Sequence, residues 1–217
     1  MAHERRATVA ARYPQHVTIR VADNVPSLRR PAFAAVVREA ISAAQRETFR
    51  IVQFNVLSNH LHLIIEAETV KARALGIAGL EVRLARKINN LVGRTGKLFT
   101  ERYHARPLTT PTEVRNALRY VLNNALHHDP NITFCHGEDW IDPYSSAAWF
   151  DGWDRPIVAN TPWKRELLAM PAPTVNARSW LLSIGWRKRG LITFDEMPGT
   201  RAERERAAFP AELMGPY

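Results

Sequence analysis

Between residues 15 and 22 the chain reads QHVTIRVA, with Val17, Ile19 and Val21 alternating against His16, Thr18 and Arg20. A period of two belongs to a half-buried strand, because successive side chains leave opposite faces. A turn at Asn24, Pro26 and Ser27 follows, and from Pro31 to residue 48 Phe33, Val36, Val37, Ala40, Ile41 and Ala44 recur at helical spacing. Residues 49–57 and 60–67 are apolar, β-branched runs separated only by Ser58-Asn59, which predicts an antiparallel hairpin. Leu80, Leu84, Ile88 and Leu91 then mark a helix whose apolar stripe lies among Arg83, Arg86, Lys87 and Arg94 and which ends at Gly93 and Gly96. Residues 97–109 form an extended segment with Arg102, His104 and Arg106.

Thr110-Pro111-Thr112-Glu113 sets a capping hydroxyl, an N1 proline and an N3 glutamate in capping-box order, so a helix starts at Pro111. Val114, Ala117, Leu118, Val121 and Ala125 form its buried stripe, and it is expected to end near His127-His128-Asp129-Pro130. Arg115, Arg119 and Asn123 are expected to face water or phosphate. The element order predicts an α+β fold, a ferredoxin-like split βαβ antiparallel sheet with helices on one face. Residues 1–14 read as a basic N-terminal arm, 15–130 as the domain, and 131–217 as a Trp/Pro-rich C-terminal extension, helical at 177–190 and flexible from 197.

Lys and Arg number 30 against 21 Asp and Glu, a formal charge of +9. That balance is the footprint of a polyanion binder, and nucleic acid is the expected partner. The single Cys135 excludes an intramolecular disulfide framework and a four-cysteine zinc site within one chain. No secretory h-region or bilayer-spanning stretch is visible, so a cytoplasmic, nucleoid-associated location without membrane contact is expected.

His60 and His62 begin the second strand of the hairpin and project from one face, while Leu61, Leu63 and Ile65 enter the core on the other. Two imidazoles so held can chelate one divalent cation; a partly exposed strand carrying two polar residues has the same pattern. On the helix from Pro111, Tyr120 and Asn124 share a flank of the buried stripe, and Tyr120 can face the histidine pair across the sheet. A cation on two imidazoles would polarise a phosphodiester while a tyrosine oxygen attacks phosphorus. His127, His128, Cys135 and His136 could supply zinc ligands by type, although their spacing matches no compact module. His16-Val17-Thr18 could be half of a two-histidine phosphoesterase, but the other strand carries His60-Leu61-His62 in place of a second His-x-Ser/Thr.

Asn59-His60-Leu61-His62-Leu63-Ile64 resembles the His-hydrophobe-His (HUH) motif of single-tyrosine transposases of small bacterial insertion sequences, and most of all the REP-associated tyrosine transposases. His16-Val17-Thr18, the segment from Gly96-Lys97-Leu98-Phe99 to Arg102-Tyr103-His104-Ala105-Arg106-Pro107, and Arg119-Tyr120-Val121-Leu122-Asn123-Asn124 agree in order and spacing, so the likeness covers residues 13–128. It implies that Tyr120 is the nucleophile, that His60 and His62 bind Mg²⁺ or Mn²⁺ with Asn124, and that single-stranded or hairpin DNA is cut through a 5′-phosphotyrosine. Arg83, Arg86, Lys87, Arg115 and Arg119 are candidate backbone contacts, and a monomer or a homodimer is compatible with the likeness. Ala125 stands where the family commonly has proline, and the extension does not match the simplest insertion-sequence enzymes. A hairpin-DNA regulator that keeps the fold without cutting is the alternative.

Overall fold

The alternation of Val17 and Ile19 with His16 and Thr18 produces the central strand β1 (Gln15–Arg20) of a computed structural model that describes residues 13–128, 136–137 and 139–199. The N-terminal arm to residue 12, Cys135 and the tail from residue 200 lie outside the described residues. β1 pairs antiparallel with β3 (His60–Ala67) and β4 (His104–Pro107), and β2 (Phe49–Val56) pairs antiparallel with β3, giving the order β2-β3-β1-β4. This is the four-stranded antiparallel sheet of an α+β fold.

In the β1–β3 ladder Val17 lies opposite Leu63 and Ile19 opposite Leu61, all fully buried. They meet α1 (Pro31–Ala44) and α2 (Val70–Leu91), which cover that face through Phe33, Val37, Ile41, Ile77, Leu80 and Leu84. The helical pattern running to residue 48 stops at Ala44, because Gln45 leaves helical geometry. The Gln45 side chain then accepts from the Ile51 N–H at 2.9 Å and donates to the Ile51 carbonyl at 3.1 Å.

The opposite face receives α3 (Pro111–Leu122), so the helices occupy both faces of the sheet. Its capping box is complete: Thr110 Oγ1 accepts from the Glu113 N–H at 3.2 Å, and Glu113 Oε2 accepts from the Thr110 N–H at 3.1 Å. Val114, Leu118 and Val121 pack against Val52 and Ile64 of the sheet and against Phe150, Trp153, Trp186 and Phe194 of the extension. The predicted single helix breaks at Asn123 and resumes as α4 (Asn124–His128). The cause is tertiary, since the Asn123 amide donates to the carbonyls of Thr193 at 3.0 Å and Glu196 at 3.1 Å.

The extension contributes α5 (Pro162–Ala169), α6 (Trp180–Ser183) and short 3₁₀ turns at Ala147–Trp149 and Gly185–Arg189. The helix predicted over 177–190 therefore splits, because Ile184 departs from helical geometry and Gly185 sits under the Trp180 ring, where a Cβ would come within 2.7 Å. The extension also seals the β2 edge: the Phe54 carbonyl accepts from the Ser146 N–H at 2.9 Å, and the Val56 N–H donates to the Tyr144 carbonyl at 2.9 Å. Covering an edge strand in this way removes a template for aggregation.

Gly76 of α2 faces the ring of buried Phe49, which a Cβ would approach to 2.2 Å. Gly76→Ala is expected to lower stability by about 1–3 kcal/mol despite the better helix propensity of alanine. Denaturant titration reads this as a lower midpoint, and an unchanged midpoint contradicts the packing.

Candidate metal and nucleophile site

His60 and His62 leave the sheet face that α3 covers, because they alternate with buried Leu61 and Leu63 on β3. Their Nε2 atoms are 3.1 Å apart. Two nitrogens bound at about 2.1 Å to one cation stand about 3.0–3.4 Å from each other, so the separation of the pair matches that of two ligands to one cation. Each ring's other nitrogen is engaged elsewhere. Nδ1 of His60 lies 2.8 Å from Asn59 Oδ1, an acceptor, which puts the proton on Nδ1 and leaves Nε2 with its lone pair.

His62 Nδ1 lies 3.1 Å from His16 Nε2 and 3.2 Å from Thr18 Oγ1. Thr18 is the direct cross-strand partner of His62, and His16 is its diagonal neighbour on β1. With Nδ1 donating to either, His62 also turns a lone pair toward His60. Among the described residues no group of three or more His, Cys, Asp or Glu forms a metal cluster. The His16 imidazole stands at the Nδ1 side of His62, away from His60, and can orient that ring.

Tyr120 approaches from α3. Its hydroxyl stands 3.5 Å from His62 Nε2, and its ring meets His62 edge-on with centroids 5.0 Å apart. Asn124, the first residue of α4, is 0% exposed, and both polar atoms of its amide lack a hydrogen-bond partner. A buried amide without partners is costly and requires something polar against it. The two imidazole nitrogens, 3.1 Å apart, suit two ligands of one divalent cation, and Asn124 is a buried amide with both polar atoms free on the segment that follows the Tyr120 helix.

Burial, followed by the charges of Arg106 and His104, lowers the pKa of His16 from 6.5 to about 4. Burial, then His16, His60 and His128, lowers that of His62 to about 3. His60 is lowered chiefly by burial and next by His128 and Arg20. All three rings are thereby kept neutral near pH 7, the form that ligates metal or accepts a hydrogen bond.

Of the other sequence-derived candidates, Arg115 and Arg119 do not face water. Arg115 grips Glu196 through two bonds of 2.7 and 2.8 Å, and Arg119 reaches the same carboxylate at 3.2 Å. Arg83, Arg86 and Lys87 lie on α2, the layer across the sheet from Tyr120; Arg83 bonds the Gly79 carbonyl and Lys87 pairs with Glu39 at 2.7 Å. The sequence reading missed the roles of His16, Thr18 and Asn59, and it placed His128 at a helix end without linking it to the histidine pair. The alternation of β1 was the available signal for His16 and Thr18, but it does not say which strand stands beside them.

The unfolded chain takes up protons at these imidazoles near pH 6.5, whereas the folded chain refuses them until about 4 at His16 and about 3 at His62. Metal-free stability is therefore expected to fall as pH drops through that window and to recover as pH rises. Denaturant melts in chelator between pH 7 and 4 should show this slope, flattened in His62→Gln. A flat wild-type profile contradicts neutral burial.

No family model matches the chain, and no curated protein matches it. Among solved structures, one described as a REP-associated tyrosine transposase bound to a REP hairpin is similar in fold. The likeness covers 82% of this chain and all of that one, with a TM-score of 0.52 and 17% sequence identity.

Proposed function

We propose that the chain is a metal-dependent single-stranded DNA endonuclease and strand transferase of the REP-associated tyrosine transposase type, acting on hairpin-containing DNA. One observation carries the reading: the Tyr120 hydroxyl lies 3.5 Å from His62 Nε2, which lies 3.1 Å from His60 Nε2. The unpartnered Asn124 amide, four residues after Tyr120, is a further polar group available to a cation, and the fold likeness supports the substrate class. No helix among the described residues is long and apolar enough to cross a membrane, and the excess of 9 positive charges favours a polyanionic partner.

Tyr120 attacks a phosphodiester phosphorus; the Tyr Oη–P bond forms, the P–O3′ bond breaks, and the phenol proton is lost as the leaving 3′ oxygen gains one. The product is a 5′-phosphotyrosine and a free 3′ hydroxyl, and attack by another 3′ hydroxyl reverses the step on a new end. When bound by His60, His62 and Asn124, Mg²⁺ or Mn²⁺ supplies Lewis-acid polarisation of the phosphoryl oxygens. His16, Thr18 and Asn59 hold the two imidazoles in the tautomers that turn both Nε2 lone pairs inward. Packing of Val121 and Leu118 on the sheet holds the phenol against His62. Imidazole nitrogen is a softer ligand than Mg²⁺ usually takes, so Mn²⁺ is the better probe.

Incubation with single-stranded hairpin DNA and Mn²⁺ is expected to give a covalent protein–DNA adduct on a denaturing gel. Tyr120→Phe should abolish the adduct while retaining DNA binding, and His60→Ala or His62→Ala should lower its rate by at least about 100-fold. Tight hairpin binding by the wild type with no adduct, in either metal, would instead identify a non-cutting regulator.

A further inference from the structure

A cleft of about 520 Å³ opens in the extension between Trp140, Tyr144 and Trp163. That volume falls within the range of ligand sites. Trp163 is 37% exposed and Trp140 is half-buried, although the same extension packs Trp153 and Trp186 into its core. A core for indoles exists nearby, yet these two rings stay at the opening.

The cleft is held open by a buried charge. Lys164, 2% exposed, donates to the carbonyl oxygen of Asp139 at 2.9 Å and to its Oδ2 at 2.7 Å. Burying an ammonium is unfavourable unless it is fully paired. Lys164 follows Trp163 and Asp139 precedes Trp140, so this clamp sets the spacing of the two indole-bearing walls. Arg29, also in the lining, is paired with Asp142 through bonds of 3.0 and 2.9 Å and lies over the Tyr144 ring at 4.6 Å. With Lys164 and Arg29 both paired, the described lining presents ring faces, the His136 imidazole stacked near Trp140 with centroids 6.4 Å apart, and polar groups including Asn160 and Thr161.

The cleft is also tied to the nucleophile. Asp142, which holds Arg29, accepts from the Asn55 amide at 3.2 Å, and that amide donates to the carbonyl of Val121, next to Tyr120, at 2.7 Å. Asn55 in turn lies opposite His62 in the β2–β3 ladder. A group seated in the cleft is thereby held in fixed relation to the tyrosine.

An aromatic cleft whose lysine and arginine are already paired, in a strongly basic chain, fits a planar heteroaromatic ring that arrives on a polyanion. We propose that it captures one unpaired base of the bound DNA strand, stacked on Trp140 and Trp163, and so sets which backbone position meets Tyr120. The assignment rests on the DNA-strand reading above. Stacking on aromatic side chains tolerates any base, so the cleft positions the strand without reading its sequence.

Fluorescence anisotropy of the full chain with two labelled hairpins, one blunt and one flanked by four unpaired nucleotides on each side, tests this. Trp140→Ala and Trp163→Ala are expected to weaken binding of the flanked hairpin by roughly 5- to 100-fold, leave the blunt one unchanged, and lose little when Trp163→Phe is used instead. An abasic nucleotide at one flanking position should reduce the wild type to the level of Trp163→Ala and cost that variant nothing more. Equal losses on both hairpins, or none on either with the fold verified by circular dichroism, overturn the proposal. Micromolar binding of a free nucleoside monophosphate without DNA overturns the assignment to a strand. Adduct formation by the wild type is scored separately: an adduct without flank-selective losses sinks the cleft alone, and flank-selective losses without an adduct sink the cutting activity alone.

Discussion

The site depends on a single cross-strand pairing, Thr18 opposite His62 in the β1–β3 ladder. A slip of one residue would turn His60 and His62 into the apolar layer and expose Leu61 and Leu63. What prevents the slip is burial on the reverse face, where Val17, Ile19, Leu61 and Leu63 lie fully enclosed under α1 and α2. The hydrophobic effect thus determines where the imidazoles stand, although no apolar residue among those four touches the chemistry. The same pairing delivers His16 and Thr18 to the back of His62, so β1 orients what β3 presents.

The second requirement is that α3 be held firmly over that face. Its apolar stripe binds it to the sheet, and polar contacts fix its remaining freedom. Thr110 and Glu113 define where it starts, Asn55 takes the Val121 carbonyl near its end, and Glu196 ties Arg115 and Arg119 to the extension. Asp142 joins Arg29, Asn55 and the Tyr144 N–H in one buried group. Paired charges of this kind add little net stability compared with apolar packing, but removing one partner strands the other. Their effect is to select one position for the helix that carries Tyr120. The extension is therefore part of the scaffold of the candidate site: it supplies half of the core beneath α3 and bends the chain at Asn123, just before Asn124.

Local periodicity made much of this legible in the residues alone. The alternation of β1, the hairpin at Ser58-Asn59 and the capping box at Thr110 each depend on neighbours within a few positions, and all three are present. The shared face of His60 and His62 follows from the pleat, whereas the helix that carries Tyr120 ends at Leu122 and Asn124 opens α4, which helical pitch alone does not foresee. By contrast, nothing local to Arg115 and Arg119 marks their partner, because Glu196, 81 and 77 residues on, cannot be matched to them by spacing. The 177–190 segment had a helical pattern, but the Trp180 ring and the core around Trp186 favour two short turns.

The chain on its own determined the strands, the start of each main helix, their order, and which side of each would be apolar, because those depend on backbone sterics and on the identities of adjacent side chains. Only the tertiary structure decided that α3 lies across the sheet from α1 and α2, that His16 stands behind His62, and that two indoles remain at the mouth of a cleft. These are contacts between segments tens to more than a hundred residues apart. They are selected by competition for a common core and for buried hydrogen-bond partners, which no local pattern encodes.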